Sequence, residues 1–256
     1  ESLIALFSVA GTFFAYFSIV IVNFGDFSRY AKSESELNKG NLSLLLNLLF
    51  FSFFAISLVI GSSIFFEKNL IPIERLLTSP ADIIGKIDNT SLTFIALFFI
   101  LVASASTNLI ANYIPSQNSI INLFPNKSTL RSAGIIIVFL GLIFAVFWEA
   151  VLSEIGILSF IDTIGSFFGP IAGIMIIDYY VIKNKKIVNK DIFSSDIKSS
   201  YYYSGGWHFK AIYSLVIGFI FASSTIWNVE LRFLQPFSWL IGAMVSSINY
   251  YLIASK

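Results

Sequence analysis

The chain has 256 residues, of which 56 % are hydrophobic and 12 % charged, and its mean hydropathy is +0.82. A soluble domain carries about 25 % charged residues, so this composition implies an integral membrane protein built from α-helices. The formal net charge of +1 gives no basis for binding nucleic acid. Without cysteine there is no disulfide, thiolate metal site or cysteine nucleophile. The single histidine, His208, cannot build a histidine metal cluster or a triad.

A membrane span needs about 20 apolar residues. Seven stretches qualify: 3–22, 42–66, 92–115, 133–148, 156–182, 210–227 and 236–253. The first has no basic leader and is too long for a signal peptide, so it reads as a true span with an upstream neighbour. It mixes small, polar and aromatic residues from Gly11 to Ser18, among them Phe17, and ends in Asn23-Phe24-Gly25-Asp26-Phe27-Ser28-Arg29-Tyr30. Asp26 and Arg29, three apart, are placed to pair at the membrane boundary. Loop 67–91 reads as short amphipathic helices lying on the outer face.

The third span carries the densest information. It opens as plain membrane helix and then turns small and polar, Ala103-Ser104-Ala105-Ser106-Thr107-Asn108-Leu109-Ile110-Ala111-Asn112. It is expected to run past Pro115 to about Leu123. Polar side chains at membrane depth need a partner, a cavity or a ligand. Ala103, Ser106 and Thr107 share one helix face and offer oxygens, as a hard cation such as sodium requires. Ser104, Asn108 and Asn112 share another and offer amides that donate and accept, as a planar polar substrate requires. The plain alternative is that small and hydroxyl residues glue helices together.

In the fifth span, Gly165, Gly169 and Pro170 interrupt an apolar run. They are read as a gating hinge or as a site of close helix packing. Asp162, near the outer end, reads as solvated, and Asp178-Tyr179-Tyr180 closes the helix at the inner interface. The loop 183–209 is the most polar region, and its Tyr201, Tyr202, Tyr203 and Trp207 mark the return to the interface. The last two spans hold few internal polar residues and read as support.

Lysine and arginine set the orientation. One side collects Arg29, Lys32, Lys39, Lys127, Arg131, Lys256 and the basic residues between Lys183 and Lys210; the other holds only Lys68, Arg75, Lys86 and Arg232. The basic side is expected to be cytoplasmic, with Glu1 outside and Lys256 inside.

Three segments together resemble the nucleobase–cation symporters, the permeases for cytosine, uracil, purines, allantoin and hydantoins. Asn23 to Tyr30 resembles their N-x-P-D-F-[ST]-R-[YF] signature, with Gly25 in place of the more frequent proline. Ser106 to Asn112, followed by Asn122-Leu123-Phe124-Pro125, is similar to their eighth helix and the loop after it. Gly169 to Tyr180, followed by Gly206-Trp207, is similar to the end of their tenth.

The resemblance implies spans six to twelve of a twelve-span, LeuT-like fold whose first ten spans form a five-plus-five inverted repeat. Residues 1–182 would be the second repeat, 183–209 a cytoplasmic loop, and 210–256 two accessory helices. The partners implied are a small heterocyclic substrate, the bilayer of the cell (plasma or inner) membrane, and the N-terminal half of the same transporter. The resemblance also implies a sodium site from the Ala103 carbonyl with the Ser106 and Thr107 hydroxyls; some members couple to protons instead, and no other cofactor is implied. Asn112 would bond the substrate, with Asn108 as the next candidate, and Phe17 would stack on its ring. The expected function is cation-coupled uptake by alternating access, and no enzyme activity is expected. Two other readings compete. Phe24-Gly25-Asp26-Phe27 superficially matches intramembrane aspartyl proteases, with Asp162 or Asp178 as second carboxylate. Alternatively, the chain is a truncated, non-transporting membrane component.

Overall fold

The structure is a computed structural model that describes residues 2–68, 80–124, 127–192, 194 and 196–255. In chain order the helices are α1 (Ser2–Tyr16), α2 (Ser18–Val22), α3 (Phe24–Ser28), α4 (Glu34–Lys68), α5 (Pro80–Ile84) and α6 (Thr90–Asn108). A π-helical segment (Leu109–Tyr113) joins α6 to α7 (Ile114–Leu123). Then come α8 (Leu130–Ile155), α9 (Ile157–Ile176) with a second π-helical segment (Ile177–Ile182), and α10 (Asn189–Ile192). The chain ends with α11 (Phe209–Trp227), a 3₁₀ segment (Val229–Phe237) and α12 (Ser238–Ala254).

Among the described residues, six helical runs are long and apolar enough to cross a membrane: Glu34–Lys68, Thr90–Leu123, Leu130–Trp148, Ser159–Ile182, Phe209–Trp227 and Val229–Ala254. They correspond to the second to seventh stretches expected from sequence. The first stretch differs in continuity: its helix stops at Phe17 and restarts at Ser18. The third runs on to Leu123, as its apolar pattern implied. Of loop 67–91, α5 is the helix seen, and residues 69–79 lie outside the described residues.

The chain forms two compact units. One comprises Glu1–Phe24 and Leu140–Lys256; here α9, α11 and α12 pack on one another, and α1 lies against α9, α12 and the 3₁₀ segment. Lipid tails are as apolar as leucine, so helices in a bilayer associate through small residues that let backbones approach. The buried residues follow that rule: Ala15, Ala172, Ala222, Ser18, Ser166, Ser214 and Ser246 are all covered. A Cβ added at Gly165 would come within 2.6 Å of the Ala15 Cβ, and Gly169 lies against the Trp239 backbone. α9 runs unbroken through Pro170, whose carbonyl accepts the Ser246 hydroxyl at 3.0 Å. Close approach is thus observed at Gly165, Gly169 and Pro170, which is the packing alternative for this stretch. Gly156, at a φ of 80°, makes the turn between α8 and α9 that a side chain would resist.

The second unit is Gly25–Phe139. Most of α4 and α6 is exposed, and their exposed side chains are largely leucine, isoleucine and phenylalanine. At 1.5 Å per residue α4 is about 52 Å long, well beyond a hydrocarbon core of about 30 Å. Its polar first turns, Glu34 to Asn41, therefore extend past the apolar stretch. The turn before α4 holds the expected Asp26–Arg29 ion pair, and Asn118 of α7 donates to Asp26 at 3.1 Å. Gln117 donates to the Leu130 carbonyl at 2.7 Å, tying α7 to the start of α8.

Gly242 and Gly25 separate packing from composition. A Cβ at Gly242 would meet Pro170 Cδ at 2.9 Å and Ala222 Cβ at 3.0 Å, whereas one at Gly25 would meet nothing within 4 Å. Thermal unfolding in detergent should show Gly242→Val destabilised by about 1–3 kcal/mol. Gly25→Ala, within α3, should be neutral or gain about 0.5–1 kcal/mol. Equal effects would contradict the close packing of α9 and α12.

Candidate functional site

The small, polar stretch lies in the middle of the Thr90–Leu123 run, on the exposed surface of its unit. Both predicted faces are present. On one, Asn112 donates to the Asn108 side-chain oxygen at 2.6 Å, and Asn108 donates to the Ser104 carbonyl at 2.9 Å. This chain of bonds fixes the amides and leaves the Asn112 carbonyl oxygen and its second N–H without a hydrogen bond among the described residues. On the other face Ser106 donates to the Ala103 carbonyl at 2.9 Å. That is the self-satisfied arrangement of a helical hydroxyl, and both oxygens keep lone pairs. Thr107 sits beside them, exposed.

Asn112 also lies inside the π-helical segment, where the Ile114 N–H reaches back to the Leu109 carbonyl. The cause is Pro115, which has no N–H to give Ala111 and whose ring would strike that carbonyl in a regular helix. Widening the turn by one residue relieves the clash. Such π-bulges are frequent at functional sites.

Phe17 marks the other irregularity. Its backbone sits at φ −88° and ψ 4°, the sparsely populated bridge region. The Val20 N–H bonds the Phe17 carbonyl at 3.0 Å, tightening the turn. Ser18, fully buried, turns its hydroxyl back to the Ala15 carbonyl at 2.5 Å, a bond that bends helices. The Phe17 ring is half-exposed, with Tyr16 edge-on at 5.0 Å and Phe13 stacked at 6.3 Å. Phe17 belongs to the first unit, while Ala103, Ser106, Thr107, Asn108 and Asn112 belong to the second.

Two polar clusters were not foreseen. Asp162 is only 2 % exposed, not solvated; Gln235 of the 3₁₀ segment donates to it at 2.9 Å. At the other end of α9, Asp178 accepts the Tyr250 hydroxyl at 2.7 Å and pairs with Lys183 at 2.7 Å. His208 Nε2 lies 2.8 Å from the same tyrosine oxygen. The tyrosine proton already goes to Asp178, so Nε2 is the donor. Tyr203, expected as an interfacial anchor, stacks on the His208 ring at 3.9 Å and 8°. Asp162 and Asp178 bond different partners and not one another among the described residues, and the protease reading gains no support.

The family model for permeases for cytosine/purines, uracil, thiamine and allantoin matches residues 2–252. The chain belongs to this family. Among curated permeases it is similar to a purine-uracil permease of Arabidopsis thaliana, 29 % identical over 206 residues, covering 80 % of this chain and 33 % of that protein. It is similar also to an allantoin permease of Bacillus subtilis, 26 % identical over 235 residues, covering 91 % of this chain and 46 % of that protein. A hydantoin permease of Microbacterium maritypicum is 28 % identical over 124 residues, covering 48 % and 24 %. The chain therefore spans about a quarter to a half the length of these relatives. No solved structure matches it. Membership and the apolar helices identify the chain as part of a multi-pass membrane protein.

Burial pushes the His208 pKa below 6.5, with Lys183 and Lys210 adding to the effect and Asp178 opposing it. The folded protein thus binds fewer protons than the unfolded chain just below pH 6.5, and stability falls as pH drops through that value. Between about pH 7.5 and about pH 5.5, the melting temperature should fall further in the parent than in His208→Gln, which keeps a donor to Tyr250. Equal falls would contradict the assignment.

Proposed function

We propose that this chain is part of a secondary active transporter of the cell membrane. It carries a nucleobase or a related small heterocycle together with a cation, by alternating access. The observation that carries the reading is the stretch Ala103 to Asn112: hydroxyls and paired amides in mid-span, with Asn112 in a π-bulge. Bonding between Asn108 and Asn112 fixes the amide, so that it presents one acceptor and one donor in a set direction. A nucleobase, an allantoin or a hydantoin edge offers the complementary donor and acceptor. The relatives, named as purine-uracil, allantoin and hydantoin permeases, are consistent with that chemistry.

In this reading Phe17 contributes a ring face at the interruption between α1 and α2. Interrupted helices with irregular backbone are where secondary transporters place their substrates. Asn108 supports Asn112. Ala103, Ser106 and Thr107 are the protein's oxygens for a sodium ion, with the rest of the shell supplied by the first repeat of the family fold. The hinge role of Gly165, Gly169 and Pro170 belongs to the same proposal: close packing would make any movement of α9 discrete.

Asn112→Ala should weaken heterocycle binding by about 1–3 kcal/mol, roughly a 5- to 150-fold rise in Kd, because it strips a polar contact from the ligand. Binding of radiolabelled uracil, allantoin and hydantoin to membranes checks this. Unchanged affinity for every ligand that the parent binds would reject Asn112. In the same assay Ser106→Ala with Thr107→Ala should abolish any stimulation by sodium while leaving sodium-free binding intact. Reciprocity then requires that substrate tighten sodium by the same factor.

A further inference from the structure

Asp162 is a buried carboxylate that no ion pair balances among the described residues. One oxygen, Oδ2, accepts from Gln235 Nε2 at 2.9 Å, and the same amide lies 3.5 Å from the Ser159 hydroxyl. The other oxygen, Oδ1, is fully covered and has no hydrogen-bond partner. No ion pair reaches Asp162 among the described residues. The surrounding elements explain why. α1 and α2 carry no charged residue, and Asp162 is the only one in α9. The 3₁₀ segment carries Glu230 and Arg232, neither of which faces it with a bond, and Lys210 is the one charge in α11. α9 has already run through its first turn before Asp162, so the helix N-terminus does not compensate the carboxylate. An unpaired buried charge is costly, so a buried carboxylate is neutralised or finds a counter-charge.

The counter-charge is therefore a ligand. A metal cation needs a shell of several oxygens. Around Asp162 the protein supplies its own carboxylate and the Ser159 hydroxyl, and no cluster of three metal-ligating side chains occurs among the described residues. A proton needs one oxygen, and Oδ1 is that oxygen.

We propose that Asp162 is the proton-carrying residue of the transport cycle. The step balances simply: a solvent proton forms an O–H bond at Oδ1, the carboxylate becomes a neutral acid, and the same bond breaks when the proton leaves. Gln235 holds Oδ2 throughout and so leaves Oδ1 as the exchanging oxygen. In the structure Oδ1 is covered, so exchange requires the groups around it to part. The assignment rests on the symport reading above, but its test does not need transport.

The test is infrared difference spectroscopy of the protein reconstituted in lipid bilayers, recorded while pH is stepped in light and heavy water. A protonated carboxyl band that shifts in heavy water should be present in the parent and lost in Asp162→Asn, which keeps the Gln235 contact. Gln235→Leu should retain the band but move its frequency and the pH at which it appears. The band guards against an Asp162→Asn chain that fails to fold, which circular dichroism would reveal. A band unchanged by Asp162→Asn, or no titrating carboxyl beyond those of exposed groups, overturns the proposal. In vesicles holding the complete transporter and a pH gradient, Asp162→Asn should reduce net uptake of labelled heterocycle at least tenfold. Unchanged gradient-driven uptake also overturns it. Absence of any uptake by the complete transporter, with both repeats present, would count against the transporter reading instead, and the infrared result would then decide the proton site alone.

Discussion

In hydrocarbon, every backbone N–H and C=O must find a partner inside the chain, and this constraint governs the rest of the molecule. It is why the described residues are helical almost throughout and why departures from the helix carry meaning. Three stand out within the apolar segments of the described residues. At Phe17 the helix stops and restarts, with the Ser18 hydroxyl taking the Ala15 carbonyl. Over Leu109–Tyr113 it widens ahead of Pro115. Past Ile176 it widens again, and the Lys183 and Lys185 N–H groups close it onto Asp178 and Tyr179. The first two coincide with the residues proposed to contact substrate.

The two units answer the bilayer differently. In the first, α9 is gripped by α1, α11 and α12 through glycine, alanine and serine; its buried Asp162 and, just past its end, the part-exposed Asp178 are each held by a distant residue. In the second, long helices expose leucine and phenylalanine, with polar ties concentrated at Asp26, Asn118, Gln117 and Leu130. Among the described residues, the polar faces of Ala103 to Asn112 are bonded only along their own helix. Groups so arranged are ordered yet still able to accept a ligand, and that combination supports the functional reading.

Much of this was legible in the sequence. The 3.6-residue period placed Ser104, Asn108 and Asn112 on one face and Ala103 and Ser106 on another, and the Asp26–Arg29 pair followed from local spacing. Pro115 carried a signal for the π-bulge, since a mid-helix proline must be accommodated by some local change. The interruption at Phe17 had no such mark, because neither glycine nor proline stands there; a buried serine bond and the packing of α1 on α9 produce it. Asp162 looked solvated because its partner Gln235 is 73 residues away and its cover comes from other elements. His208 and Asp178 were likewise apart in sequence and joined through Tyr250.

The central claim is that the Phe17 interruption and the π-bulge at Asn112 both receive the substrate. Hydrogen exchange read by mass spectrometry, on the reconstituted protein with and without saturating heterocycle, tests it most directly, because irregular backbone opens locally and a ligand suppresses that opening. The account predicts slower exchange in residues 13–21 and 104–114, and little change along α11 and α12. Bound heterocycle with protection confined to other helices would contradict it.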